Sequence, residues 1–156
     1  PGQFAVASGN YRMAEAPAAV GCAQLDRLDE ICARRREHAL DMRSRLSELN
    51  FQGHPAGARP NHQTLGLCLA ESAPPRDQVI TELQKQGVQA GRLSYALHAL
   101  PQFAQEAARA RRDGRSLAHA SRLANRGLAL PLFPAMTPQQ RDRVVAAVRA
   151  ALELGP

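Results

Sequence analysis

The sequence predicts an α/β fold in which helices pack on one face of a short, mainly antiparallel sheet. Three observations predict it: long segments with apolar residues every three or four positions, short apolar runs between them, and Gly or Pro breaks at the junctions. The chain has 156 residues, of which 44% are hydrophobic, so one compact domain is expected. It has six aromatic residues and no Trp, so the core must consist mainly of aliphatic side chains, and helices should dominate.

The first helical region is predicted from Ala14 to Leu49. Pro17 lies near its start, where a missing N–H group costs little, and a bend is expected near Leu25 and Asp26. The result would be a short helix followed by a long one. Arg35 falls on the apolar stripe of the long helix, which therefore makes a poor coiled-coil seam. The stripe consists of Leu25, Leu28, Cys32, Ala39, Met42, Leu46 and Leu49.

Two strands and a helix are predicted in the middle of the chain. Residues 52–60 contain several Gly and Pro breaks and should form a loop, and residues 61–70 then suit a buried strand. A helix should begin at Pro75 and end just before Gly87, because Pro favours a first helical turn and Gly favours a helix end. A second strand should run from residue 88 to about Tyr95.

The last third of the sequence ends in the clearest element. Residues 99–117 are polar and rich in arginine, with a turn at Asp113–Gly114, and residues 117–125 have a weak helical pattern. Residues 127–130 suit a third short strand. Thr137 as N-cap, with Gln140 three residues later, predicts a capping box that begins the final helix.

The net charge is positive, but the basic residues are dispersed along the sequence. The chain carries a formal charge of +6, and all its basic residues are arginines except Lys85. The arginines do not form one long run, so no nucleic-acid partner is predicted. The three cysteines form no C-x-x-C pair, which favours a reduced, cytoplasmic protein. No apolar run is long enough to predict a membrane span, and His38, His54, His62 and His119 show no metal-ligand spacing.

Four local patterns, in order along the chain, resemble the C-terminal small domain of DegT/StrS-type sugar aminotransferases. The first is Asn10-Tyr11-Arg12-Met13 with the arginine-rich run at 34–36, and the second is Asn61-His62-Gln63 with Arg76-Asp77 further on. The third pairs Tyr95 with His98, and the fourth is the stretch 129–137, Ala-Leu-Pro-Leu-Phe-Pro-Ala-Met-Thr. Ala14 departs from the Thr or Ser that many members carry after the Met.

The resemblance implies a fold of the aspartate-aminotransferase small-domain type and a role in an enzyme that uses pyridoxal phosphate (PLP). It implies that residues 1–13 form a linker and cofactor-proximal loop and residues 14–156 the small domain. Asn10 would donate to the PLP phosphate of a neighbouring subunit in a homodimer. Arg12, the second cofactor-binding candidate, could pair with a phosphate or carboxylate, hold the loop, or form a structural salt bridge with Glu15. Tyr95 and His98 would contact a nucleotide-linked keto-sugar, which is aminated from glutamate or glutamine.

The same resemblance implies that the large PLP-binding domain, with its lysine, is not part of these 156 residues. Lys85 lies on the polar side of its predicted helix, so no catalytic residue is expected here and the chain alone should be inactive. Because the first residue is Pro1 rather than Met, we expect the chain to be part of a longer polypeptide.

Two other functions remain open at this point. The segment from Val79 to Leu100 could form a helix-turn-helix module that binds DNA, provided that residues 88–95 are helical rather than extended. Alternatively, the chain could be a dimerisation or scaffold domain without chemistry.

Overall fold

The computed structural model describes residues 13–154, and these residues contain a four-stranded antiparallel sheet. The strands are β1 (Asn50–Phe51), β2 (Leu65–Cys68), β3 (Gly91–Arg92) and β4 (Gly127–Leu130). Their order across the sheet is β1-β2-β4-β3, and each neighbouring pair is antiparallel. The predicted antiparallel sheet is therefore confirmed. The long β2–β4 pair at its centre aligns Leu65 with Leu130 and Leu67 with Leu128.

Residues 13–154 also form six α-helices, and most lie where the hydrophobic pattern predicts them. The predicted bend near Leu25 is confirmed as a break between the first two helices. The helices are α1 (Glu15–Leu25), α2 (Leu28–Arg45), α3 (Arg76–Lys85), α4 (Ala104–Arg112), α5 (Ala118–Arg126) and α6 (Pro138–Ala151).

The hydrophobic core lies between the sheet and three of these helices. Alternate residues of β2, namely Leu65 and Leu67, point into it, as the two-residue period of a strand requires. Helices α2, α3 and α6 each contribute apolar residues that are almost fully buried. The largest fully buried side chains are those of Met42, Leu46, Leu67, Leu69, Val79, Leu83, Leu128 and Val148.

Ion pairs along one side of the core join α2 to α6. Asp41 accepts from Arg141 at 3.0 Å, and Arg45 pairs with Asp142 at 2.8 Å. The buried His38 ring also lies in this contact: its Nδ1 is 2.9 Å from Arg141, and its Nε2 is 3.2 Å from the carbonyl oxygen of Pro134. Because arginine only donates, Nδ1 must be the acceptor, and Nε2–H donates to the carbonyl.

The predicted capping box of the last helix is confirmed. The Thr137 hydroxyl accepts from the backbone N–H of Gln140 at 3.2 Å, and the Gln140 side chain accepts from the Thr137 N–H at 2.9 Å. Both N–H groups would otherwise lack partners at the helix start. Helix α1, by contrast, begins after Ala14 with no side-chain cap.

The predicted strands at 61–70 and 88–95 are shorter in the structure. Within these stretches only residues 65–68 and 91–92 form strands, and β3 aligns Gly91 and Arg92 with β4. One more backbone hydrogen bond follows, from the Leu93 N–H to the Gly127 oxygen at 3.1 Å. The two-residue strand β1 and helix α4 were not predicted. Residues 104–112 were interpreted as an irregular polar stretch, although four alanines and three arginines there have high helix propensity.

The helix-turn-helix alternative is wrong. Residues 88–96 contain no helix, and a 3-10 turn at Leu97–Ala99 is the first helical element after α3. The second helix that such a DNA-binding module would place in the major groove is therefore not formed between residues 92 and 100.

Candidate substrate-facing site

The segment that leaves β3 carries the predicted substrate contacts Tyr95 and His98. An ion pair holds its start, because Arg92 in β3 lies 2.7 Å from Asp77 in α3. Asp77 also accepts from Arg76 at 3.1 Å. The hydrogen bond from Arg76 is the main cause that lowers the pKa of Asp77, and the charge of Arg92 adds to it. The carboxylate is thus held in its charged form beside two arginines.

His98 is held by a neighbouring helix. It lies in the 3-10 turn Leu97–Ala99 and is half-buried, and its Nε2 is 2.9 Å from the hydroxyl of Ser121 in α5. The ring is therefore fixed at one end, while the hydroxyl can donate or accept according to the tautomer. Such a fixed ring suits a residue that orients a bound ligand.

Two arginines attach α5 to the rest of the domain. Arg76 is only 7% exposed, and its guanidinium donates to the carbonyl oxygen of Ala124. Arg126 donates to the carbonyl oxygens of Ala70 and Ala73, the latter at 2.9 Å. These contacts join α5 to α3 and to the segment after β2, so the helix that carries Ser121 is held at two points.

Tyr95 presents its side chain to solvent beside this support. It is 67% exposed, whereas the next residue, Ala96, is 6% exposed and points inward. The phenol hydroxyl has no hydrogen-bond partner among residues 13–154, so the side chain can stack on or donate to a ligand. The structure thus places Tyr95 and His98 on one short segment, three residues apart.

A basic surface follows in the chain. The last turn of α4 carries Arg109, Arg111 and Arg112, and Arg115 lies just beyond the turn at Gly114, whose φ is +70°. Within residues 13–154, none of these four guanidinium groups pairs with a carboxylate. The surface near the 3-10 turns is therefore positively charged.

No side chain in the described part of the chain fits the aldehyde of PLP. Lys85 lies on the exposed side of α3 and pairs with Glu82 at 2.6 Å, so its amine is solvated and already engaged. The predicted cofactor contacts are Asn10 and Arg12, and both lie outside the described residues. Among residues 13–154 no group of three or more His, Cys, Asp or Glu side chains could hold a metal ion.

Sequence reasoning missed the residues that support the site. Ser121 lies in α5, and nothing in the sequence around it indicates a contact with His98. Arg76 stood out only as part of a family motif, and nothing local indicates that it is buried. Both act through contacts with residues far along the chain, which a local pattern does not reveal.

The described residues thus form a small antiparallel sheet whose core face is covered by α2, α3 and α6, with a tyrosine and an anchored histidine on the segment after the edge strand β3. The chain belongs to the DegT/DnrJ/EryC1/StrS aminotransferase family, whose profile matches residues 3–149.

The relatives include GDP-perosamine synthase from Caulobacter vibrioides, which is 31% identical over 154 residues, or 96% of this chain and 40% of that protein. The solved aminotransferase TlmJ from Streptoalloteichus hindustanus is 31% identical with a TM-score of 0.73, over 87% of this chain and 36% of that one. The PLP form of the putative sugar aminotransferase Spr1654 from Streptococcus pneumoniae matches 90% of this chain and 36% of that one, at 19% identity and a TM-score of 0.75. The chain thus spans about 40% of the length of the curated relatives it matches.

None of the helices among residues 13–154 combines the length and the apolar character needed to cross a bilayer.

Proposed function

We propose that this chain is the C-terminal small domain of a PLP-dependent aminotransferase that transfers an amino group from glutamate, or glutamine, to a nucleotide-linked keto-sugar. The observation that carries the proposal is the family match along residues 3–149, together with the sugar aminotransferases among the relatives. In this proposal residues 14–156 form the small domain and residues 1–13 the linker that leads into it. The parent enzyme would be a cytoplasmic homodimer.

The geometry after β3 supports a role in binding the sugar or its nucleotide. Tyr95 is exposed and free to contact a ligand, and His98 is fixed by Ser121. The arginines of α4 add positive charge near a substrate that carries a diphosphate. In this proposal Tyr95 and His98 contact the substrate, and Ser121 is a positioning residue.

The cofactor is assigned to the parent enzyme. PLP supplies the electron sink for amine transfer, and the small domain contributes contacts around it. We assign Asn10 and Arg12 to the cofactor phosphate of the neighbouring subunit, since an amide and a guanidinium both donate to a dianion. Because Lys85 does not fit the aldehyde, the isolated chain is expected to be inactive.

The proposal is tested in the protein that carries this chain behind its large domain. His98→Ala should raise KM for the nucleotide-sugar about tenfold or more, since a directed hydrogen bond is lost, while KM for the amino donor stays the same. Ser121→Ala should raise the same KM by a smaller factor, because it only loosens the ring. Steady-state kinetics with a panel of nucleotide-linked keto-sugars would measure both effects.

A second variant tests the cofactor contact separately. Asn10→Ala should weaken PLP retention, measured by the absorbance of the bound cofactor after dialysis, and should leave the unfolding midpoint of the cofactor-free protein unchanged. Cofactor affinity equal to that of the parent would contradict the role of Asn10. A protein with bound PLP and no amine transfer to any keto-sugar would contradict the proposed reaction and favour a scaffold role.

A further inference from the structure

A polar pocket at the edge of the sheet lies apart from the segment that carries Tyr95 and His98. It has a volume of about 330 Å³, room for roughly ten water molecules, and it opens between α2 and the loop that leads into β2. We call it the His54–His62 pocket. Its polar lining includes Arg43, Gln52, His54, Asn61, His62 and Gln63.

The hydrogen bonds within the pocket leave donors free. The side-chain oxygen of Asn61 accepts from the backbone N–H of Gln63 at 3.1 Å, and the side-chain oxygen of Gln63 accepts from the Thr64 hydroxyl at 2.6 Å. Both amide oxygens are therefore occupied. The two amide NH₂ groups have no acceptor among residues 13–154, so they remain available to a ligand that accepts hydrogen bonds.

The charge of the pocket is positive. Arg43 donates to the carbonyl oxygen of Gln52 at 3.0 Å and lies 5.3 Å from the ring centre of Phe51, which fixes its guanidinium at the pocket wall. No lining residue carries a carboxylate. Asp29 and Glu37 line an adjoining hollow on α2 that shares Pro60 and Asn61 with the pocket.

The two histidines lie together in this positively charged pocket. Their rings meet edge to face with centroids 5.8 Å apart, and His62 is only 8% exposed. Burial is the main cause that lowers the pKa of His62, and the charges of His54, Arg36 and Arg43 lower it further. His62 also has a φ of +48°, an uncommon backbone conformation that costs about 1 kcal/mol and that clusters at functional sites.

We propose that the His54–His62 pocket binds a phosphoryl group, with Arg43 and the amide groups of Asn61 and Gln63 as its donors. A planar guanidinium and converging N–H groups, with no carboxylate in the lining, match the several acceptor oxygens of a phosphate. The bound dianion would favour the protonated form of the His62 imidazole, which then becomes a further donor. This site is independent of the proposed amine transfer.

The binding test uses inorganic phosphate as the probe and the histidine ring signals of the purified protein as the readout. Added phosphate should shift the His54 and His62 signals in a saturable way and should raise the pKa of His62, which burial and nearby positive charge lower in the free protein. His38, His98 and His119 serve as internal references and should not shift with the same midpoint. A linear, non-saturating change in all five histidines would overturn the proposal.

Matched variants on α2 separate the site from general charge effects. Arg43→Gln should weaken phosphate binding about tenfold or more, because it removes a charge-assisted hydrogen bond. Arg34→Gln removes the same charge from the same helix, but Arg34 pairs with Glu30 at 3.1 Å, so its effect should be at most about twofold. Equal losses in both variants would show that only net charge matters and would overturn the site.

A second, nearly isosteric variant tests the site independently, in case Arg43→Gln does not fold. Asn61→Asp keeps the oxygen that accepts from the Gln63 N–H and adds a negative charge, so the loop should fold while phosphate binding is lost. Unchanged phosphate affinity in a folded Asn61→Asp protein would contradict the proposal. Acetate binding as tight as phosphate binding would contradict the phosphoryl assignment.

Two sources of the phosphoryl group are distinguished by further ligands. A sugar phosphate that competes with inorganic phosphate, while a nucleoside diphosphate does not, would assign the pocket to a monoester. Competition by a nucleoside diphosphate, but not by a sugar phosphate, would assign the pocket to a diphosphate. Competition by neither would contradict a physiological phosphorylated ligand.

Discussion

Helices α1 and α6 are both rich in apolar residues, yet they differ in almost every contact. Four residues of α6 are buried, its start is closed by a capping box, and its ion pairs reach α2. No residue of α1 is buried, and no side chain caps its start. Val20 and Leu25 in α1 remain 63% and 66% exposed. Apolar composition alone therefore does not fix where a helix packs.

The difference shows where the stability of the domain is concentrated. The buried cluster is formed by the sheet, by α2, α3 and α6, and by residues of the segments that connect them, and α1 contributes no residue to it. Helix α1 has Glu15 as its only charged residue, so it would ordinarily be covered by another surface. An uncovered apolar helix is typical of an interaction site, and weak self-association of the isolated chain is expected.

The largest expected effect comes from removing a core side chain. Leu83 in α3 is fully buried, so Leu83→Ala should lower the free energy of unfolding by about 2–5 kcal/mol through lost burial and a cavity. Leu25→Ala in α1 should change it by about 0.5 kcal/mol or less. Denaturant unfolding followed by circular dichroism measures both. Similar losses in the two variants would mean that α1 packs on the domain in solution.

Two glycine-to-alanine substitutions should have smaller effects on stability, and the two effects should have opposite signs. A Cβ atom at Gly127, where β4 begins, would lie 2.3 Å from the backbone oxygen of Leu123, so Gly127→Ala should cost about 1–3 kcal/mol. A Cβ at Gly21 in α1 would meet nothing within 4 Å, so Gly21→Ala should favour the helix by about 0.5–1 kcal/mol. Thermal unfolding and helical content measure the two effects. A stabilising Gly127→Ala would show that α5 can shift away from β4.

The elements that could be predicted from the sequence are those with a strong local signal. The capping box at Thr137 and Gln140 needs only residues close in sequence, and its prediction is confirmed. The boundary near Leu25 and the strand at residues 127–130 are confirmed for the same reason. The family resemblance rested on ordered motifs along the chain, and the match over residues 3–149 confirms it.

The parts that could not be predicted depend on distant contacts. Strand β3 aligns only Gly91 and Arg92 with β4, with one more backbone hydrogen bond from the Leu93 N–H to the Gly127 oxygen, and no local pattern fixes that length. The hydrogen bond between His98 and Ser121 joins residues 23 positions apart. The roles of Asn10 and Arg12 remain predictions, since both lie outside the described residues.

The smallest expected effects are at the two helix starts, and they compare α1 and α6 directly. Thr137→Ala removes the cap of α6 and should lower the free energy of unfolding by about 1 kcal/mol. Ala14 has the extended backbone of an N-cap, with φ of −70° and ψ of 151°, so Ala14→Ser can supply the missing acceptor.

Because α1 contributes nothing to the core, Ala14→Ser should leave the global unfolding free energy unchanged and should slow hydrogen exchange in the first turn of α1. Thr137→Ala should instead speed exchange throughout the buried elements, since α6 unfolds together with the core. If Ala14→Ser raised global stability by as much as Thr137→Ala lowers it, α1 would have to be part of the cooperative unit. Its exposed apolar surface would then need a partner within this chain.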